Sequence, residues 1–305
     1  MTQSSVLRPQ SSHTFPRWTP GFQQALEQLA IATRRPARSH HPGAVRSRWR
    51  GRALEFADYR PYSPGDEPRL VDWRAYSRLG RLYLKQYEEE RARRLTVLLD
   101  TSASLDWGEG DAHKGDYARR LVASLAWISL NHHDAVQVFL LRDGAAHPLP
   151  PLTHRAAAMA LFQQLGTLQE RGRTELAAAT RAVPLLQATG PVLLLSDLLD
   201  PSWPEALGAL GAAGEGAVLQ LLAPQEWEPP LGEEVELEDV ETGERRATRL
   251  GPLEVADYRR RLQSFLTSVR ERCARLGLLH LALNTATPLQ ETVLRHLPAA
   301  GLLHG

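Results

Sequence analysis

The apolar positions change rhythm once along the chain, at Leu95. Before that point one stretch has helical spacing: Phe22, Leu26, Leu29 and Ala30 share a face in residues 22–31. Pro36 and Pro42 stop any helix that would continue. From Gly43 to Tyr87 short segments are broken by turn chemistry. In Tyr62-Ser63-Pro64-Gly65-Asp66 the proline presets φ and the glycine accepts positive φ. Residues 81–87 alternate Leu82, Leu84 and Gln86 against Tyr83, Lys85 and Tyr87, which predicts a half-exposed strand.

Beyond Leu95 the pattern is that of buried strands alternating with helices. Residues 95–100 (LTVLLD) and 192–197 (VLLLSD) are continuous apolar runs, as in strands covered on both faces. Further strands are predicted at 135–141, 218–222 and 279–283, and helices at 117–130, 156–165, 175–186, 204–210, 253–276 and 289–297. Residues 235–249 read as a hairpin turning at Thr242-Gly243. This alternation predicts an α/β, doubly wound, mainly parallel sheet preceded by a small β-rich N-terminal subdomain. Three segments are expected: a Ser-, Pro- and Thr-rich flexible tail over 1–20, a unit of one helix and short strands over 21–94, and the α/β domain over 95–305.

Composition narrows the class. In 305 residues, 43% are hydrophobic and 23% charged, which excludes a disordered or collagen-like chain. A single cysteine permits no internal disulfide and fits a reducing compartment. Apolar runs such as 192–195 fall far short of the roughly 18 residues a membrane helix needs. The N-terminal residues show no signal-peptide core, so a soluble cytoplasmic protein is expected. The net charge of +1 hides an asymmetry: 18 Lys+Arg face 9 Asp+Glu up to Arg94, and 18 face 26 from Leu95 onward. Only Lys85 and Lys114 are lysines, so the positive charge is almost all arginine. That bias fits either a GC-rich genome or a surface using bidentate pairing to carboxylate or phosphate.

In an open α/β sheet, ligands sit outside the carboxyl ends of the strands, so the polar residues there are the candidates. The first buried strand ends in Asp100-Thr101-Ser102-Ala103-Ser104, whose turn can aim Asp100, Ser102 and Ser104 at one point. The strand at 192–197 ends in Ser196-Asp197, and Thr174 precedes a predicted helix. Oxygen-only ligands suit a hard cation such as Mg2+. The same residue types after strands also serve as helix caps.

Together, Asp100, Ser102, Ser104, Thr174 and Asp197 resemble the metal-ion-dependent adhesion site (MIDAS) of von Willebrand factor A domains. The resemblance covers the chain from Leu95 to the end. It implies that the serines bind Mg2+, or another divalent cation such as Mn2+ or Ca2+, and that the threonine and aspartates act directly or through water. A partner's carboxylate would complete the octahedron. The head sharpens this. Glu55-Phe56, Tyr59-Arg60, Tyr62, Pro64-Gly65-Asp66, Arg69, Val71-Asp72-Trp73 and Arg78 resemble the signature of the bacterial domain of unknown function family 58. That resemblance implies a von Willebrand-like domain following the signature, and a MoxR-type AAA+ ATPase, or its client, as the partner of a non-enzymatic adaptor or assembly factor.

Two other classes compete. A metal-dependent phosphohydrolase would use the cation to polarise a phosphoryl oxygen. A nucleic-acid binder would use the arginine-rich head with Trp49, Tyr59, Tyr62 and Trp73. In the head, Asp66 and Asp72 with Arg60, Arg69, Arg74 and Arg78 are expected to form an ion-pair network; alternatively, Trp73, Tyr62 and exposed arginines make a docking surface. His40-His41 and His132-His133 lack a third zinc ligand at suitable spacing. Cys273, in a predicted helix, reads as an inert thiol, the 233–244 stretch as a solvated acidic hairpin, and Lys114 as a surface charge near the metal loop.

Overall fold

The computed structural model describes residues 15–32, 55–63, 71–88, 93–173, 175–229, 234–238, 245–249 and 251–305. The described residues fall into two compact units. Residues 15–32 belong with those from 93 onward, and 55–88 form the other unit.

Helix α1 (Pro20–Leu26) starts with proline in its first turn, and Thr19 Oγ1 accepts from the Phe22 amide at 3.2 Å. Phe22 and Leu26 are buried in the α/β core, and Trp18 meets Phe22, Trp127 and Phe162 edge-on. The helix stops earlier than the apolar spacing predicts. Ala30–Ile31 leave it as strand β1, pairing antiparallel with Leu303–His304. Tertiary pairing there outweighs helical spacing, and the β-branched Ile31 suits extended backbone. The expected boundaries are corrected accordingly. Of the expected tail, residues 1–14 lie outside the described residues, while Phe15 and Trp18 pack on the α/β core. Residues 21–32, expected in the head, are part of the α/β unit.

In the head unit, β2 (Glu55–Pro61) runs antiparallel to the strand Tyr83–Glu88 with a register shift between Phe56 and Asp58. Between them lies α2 (Trp73–Leu79), followed by that second strand, β3. Asp72 Oδ1 caps the helix, accepting from the amides of Arg74 (2.9 Å) and Ala75 (3.2 Å), and Gly80 closes it at φ +64°. Asp72 is therefore a helix cap, a role the expected ion-pair network did not include; Asp66 and Arg69 lie outside the described residues. Trp73 and Tyr76 stand exposed on α2, edge to face at 6.2 Å.

The α/β unit is built on β4 (Arg94–Asp100), α3 (Lys114–Asn131), β5 (Ala135–Arg142), β6 (Ala145–Pro148), α4 (Ala158–Thr167), α5 (Leu176–Arg181), β7 (Val192–Ser196), α6 (Trp203–Gly211), β8 (Gly216–Leu222) and α7 (Pro224–Trp227). It continues through the hairpin β9 (Glu234–Glu238) and β10 (Arg245–Arg249), α8 (Pro252–Arg275), β11 (Leu279–Asn284), a helical segment over 289–299 and β12 (Leu303–His304). The strands order β11-β8-β7-β4-β5-β6, parallel except for the antiparallel edge strand β6. The apolar pattern misses β6 because its sequence, AAHP, carries no alternation; the Asp143-Gly144 turn folds it back onto β5.

Side chains alternate between two cores, as pleating requires. Leu95, Val97 and Leu99 of β4, with Leu193 and Leu195 of β7, pack on α1, α3 and α4. Leu98, Val192, Leu194 and Val218 pack on α5, α6 and α8. Helix α3 is buried around most of its circumference, since α1 and α4 cover the side away from the sheet. Cys273 of α8 is wholly buried, and burial pushes its thiol up to about 11, as expected of an inert thiol. Among the described residues no helix is long and apolar enough to cross a membrane.

Two predictions follow from this packing. Leu26→Ala removes a wholly buried side chain and should cost about 2–5 kcal/mol in denaturant unfolding; an effect below about 0.5 kcal/mol would detach α1 from the core. His280 of β11 bonds Gln220 Oε1 at 3.0 Å, and burial, with Arg270 adding, lowers its pKa from 6.5 to about 4. The unfolded chain takes up this proton first, so stability should fall as pH drops from 6.5 through about 4. A pH series of melts on His280→Gln should show a shallower loss across that window.

Candidate functional site

The chain leaves β4 towards β5 on one side and places β7 and β8 on the other. The strand order therefore reverses between β4 and β7, and the carboxyl ends of these two strands flank the crevice. Asp100 ends β4 and Asp197 follows β7, each about 1% exposed.

The loop after β4 is tied into one shape. Asp100 Oδ1 accepts the Ser102 amide at 3.0 Å, and the Ser102 and Ser104 hydroxyls lie 3.0 Å apart. Asp100 Oδ2 accepts the Ser196 hydroxyl at 2.7 Å, a bond across the crevice from β7. Ser196 Oγ in turn accepts the Leu198 amide at 3.0 Å. Leu198 is buried at φ +61°, a conformation costing about 1–3 kcal/mol that only a well-determined surrounding sustains. Burial first, then the charge of Asp197, push the Asp100 carboxyl up to about 6, against the hydrogen bonds from Ser196 and Ser102.

Thr174 lies outside the described residues, but the chain leading to it is pinned. Ala103 donates its amide to the Gly172 carbonyl at 3.0 Å, and Arg171 donates to Thr101 at 2.9 Å. The Arg173 amide donates to Asp143 Oδ1 at 3.0 Å. Glu170 is buried against Gly115 at the start of α3 and pairs with Arg119 at 3.3 Å; a Cβ on Gly115 would collide with its carboxylate. Beside this loop a groove of about 320 Å³ is lined by the leucines Leu140, Leu149, Leu165 and Leu168 together with polar residues that include Arg142 and Arg171.

Lys114 is the principal correction to the sequence reading. It is a buried residue at the start of α3, with 1% of its side chain exposed, and not a surface charge. Its ammonium donates to Asp197 Oδ2 at 2.9 Å and Glu226 Oε1 at 2.8 Å. Burial pulls the Lys114 pKa down, but the two carboxylates outweigh it and hold the group above the ordinary lysine value. Sequence reasoning missed Glu226, of α7, and the bond from Ser196. Their signal was position: Ser196 ends β7, and Glu226 lies in α7, the helix that follows β8, beyond the carboxyl ends where the other candidates were sought.

Asp100, Ser102, Ser104 and Asp197 are thus brought to one edge of the sheet. Their donors are all oxygens. Asp197 and Glu226 pair with the Lys114 ammonium, and Asp100 lies near enough to Asp197 for that charge to help raise its pKa, so three carboxylates share this end of the sheet with one lysine. That donor set and charge fit a hard divalent cation. Among the described residues, no cluster of three or more His, Cys, Asp or Glu side chains is arranged for a metal, so hydroxyls would have to contribute.

The sheet is doubly wound and mainly parallel, with the Asp-x-Ser-x-Ser sequence at the carboxyl end of its central strand β4. The family described as "Protein of unknown function DUF58" matches residues 58–270, and the chain belongs to that family. Uncharacterized protein Rv1480 of Mycobacterium tuberculosis and Uncharacterized protein Mb1516 of Mycobacterium bovis are each 26% identical over 240 residues, covering 77% of this chain and 76% of theirs. Among solved structures, the conserved hypothetical protein BatB from Bacteroides thetaiotaomicron is 16% identical, with 68% of this chain and 98% of that chain covered and a TM-score of 0.40. The SpRpn10 VWA domain is 11% identical, with 67% and 95% covered and a TM-score of 0.38.

Ser196→Ala removes both the donor to Asp100 and the acceptor of the strained Leu198 amide. It should cost about 1–3 kcal/mol in denaturant unfolding in EDTA; a cost under about 0.5 kcal/mol would mean the loop after β4 holds Asp100 unaided.

Proposed function

We propose that this chain is a protein-binding module, not an enzyme, whose carboxyl edge holds Mg2+ or a similar divalent cation. Asp100, Ser102 and Ser104 would hold it, with Thr174 and Asp197 contributing directly or through water. The observation that carries this reading is the pair of hydroxyls of Ser102 and Ser104, 3.0 Å apart beside the buried Asp100 carboxylate, with the Asp197 charge close by. When bound, the cation supplies an open coordination position for a partner's Asp or Glu. The chain's own residues do the rest. Ser196 and the Ser102 amide orient the Asp100 carboxylate, and the loop over 168–173 sets one wall. Arg142 and Arg171, which line the groove with its leucines, would meet acidic and apolar residues flanking the partner's carboxylate. From the family resemblance, the partner is a MoxR-type AAA+ ATPase or its client, which makes the chain an adaptor or assembly factor.

A pull-down from native lysate with the tagged chain, in Mg2+ and in EDTA, tests this. It is followed by direct binding to the purified MoxR-type ATPase. The ATPase should bind only with Mg2+, and Asp100→Ala should weaken binding at least about tenfold, the loss of one desolvated metal–carboxylate contact. Identical partners with and without metal would overturn the reading. Phosphoester turnover abolished by Asp100→Ala would favour the hydrolase instead.

A further inference from the structure

Lys114 is one of two lysines in a chain with 36 Lys+Arg, and it is buried. Its ammonium draws together three elements: the start of α3, the end of β7 through Asp197, and α7 through Glu226. Glu226 is itself fixed. Its Oε2 accepts the Ala223 amide at 2.6 Å, and the hydroxyl of Tyr258, on α8, donates to its carbonyl at 2.7 Å. Asp197 Oδ1 takes the Leu199 amide at 3.2 Å, and its carbonyl takes Gln220 Nε2 at 3.1 Å. Neither carboxylate is free to swing away from the ammonium. A divalent ion sharing the Asp197 carboxylate would therefore sit close to a fixed positive charge in a poorly screened place.

We infer that Lys114 is the affinity-setting residue of this edge: a built-in cation that shares Asp197 with the bound metal. It keeps the edge folded when no metal is present and holds metal affinity low enough that a partner's carboxylate must complete the site. This rests on the divalent-cation reading above. Lys114 is a positioning residue here, acting through Asp197. Its charge, more than its shape, is what counts, so changes of opposite sign at the cluster have opposite effects. Removing the ammonium strengthens attraction for the metal. Removing the Glu226 charge leaves the ammonium less neutralised and weakens it.

The test uses the full chain, with MgCl2 alone as the probe, in titration calorimetry and in thermal melts with EDTA or Mg2+. Wild type should bind weakly. Lys114→Met should melt lower in EDTA, bind Mg2+ at least about tenfold tighter, and gain more in Tm from Mg2+ than wild type does. Glu226→Gln keeps the side chain's shape and a hydrogen-bonding oxygen, and should bind Mg2+ several-fold more weakly. A purely structural role would lower Tm in both variants equally with and without metal and leave both affinities within about twofold of wild type, which overturns the inference. Should Lys114→Met not fold, the sign of the Glu226→Gln change decides alone. No Mg2+ binding by wild type would sink the cation reading and this inference with it. Binding by wild type with unaltered affinity in Glu226→Gln would sink only the inference.

Discussion

Burial of β4 on both faces is the constraint from which the rest of the α/β unit follows. A parallel strand with Leu95, Val97 and Leu99 on one side and Leu98 on the other needs helices above and below. Those helices must arrive through crossovers, so the chain leaves β4 in one direction and returns on its opposite side. The strand order reverses beside β4, and a crevice opens at its carboxyl end. Asp100 lies there because it is the residue at which the central strand ends.

The cost of that position is electrostatic. Carboxylates at the mouth of a buried parallel sheet lose their water, and Asp100 shows the consequence in its raised pKa. The chain offsets part of this cost with its own groups: Ser196 and the Ser102 amide for Asp100, and Lys114 for Asp197 and Glu226. It leaves some of the negative charge unbalanced. A scaffold built only for stability would favour apolar residues at these positions, because a buried ion cluster is a poor source of stability. The strained Leu198 beside Asp197 points the same way, since strain of this kind gathers where geometry serves a function.

The head unit follows a different logic. Its acid Asp72 is used locally, to cap a seven-residue helix, and Gly80 ends that helix. Among the described residues of this unit, Val71, Ala75 and Leu84 are buried. Two aromatic rings, Trp73 and Tyr76, are left facing outward on the same helix, the residue types that interfaces use as anchors.

The amino-acid sequence by itself determined the α/β class, nearly every strand and helix beyond Leu95, and the presence of Asp100, Ser102, Ser104 and Asp197 at strand ends. These are local properties: apolar periodicity reports which faces are buried, and the residue after a buried run reports which edge it reaches. The tertiary structure alone decided three things. It ended α1 at Leu26 and made Ile31 a strand, because the backbone that pairs with β1 lies at 303–304, far along the chain. It folded β6 onto the sheet edge, where a turn supplies what side-chain alternation does not. It buried Lys114 between Asp197 and Glu226, partners 83 and 112 residues away. A lysine at the start of a helix reads as a solvated charge until the carboxylates that surround it are known, and no spacing along the chain encodes a contact made across three elements.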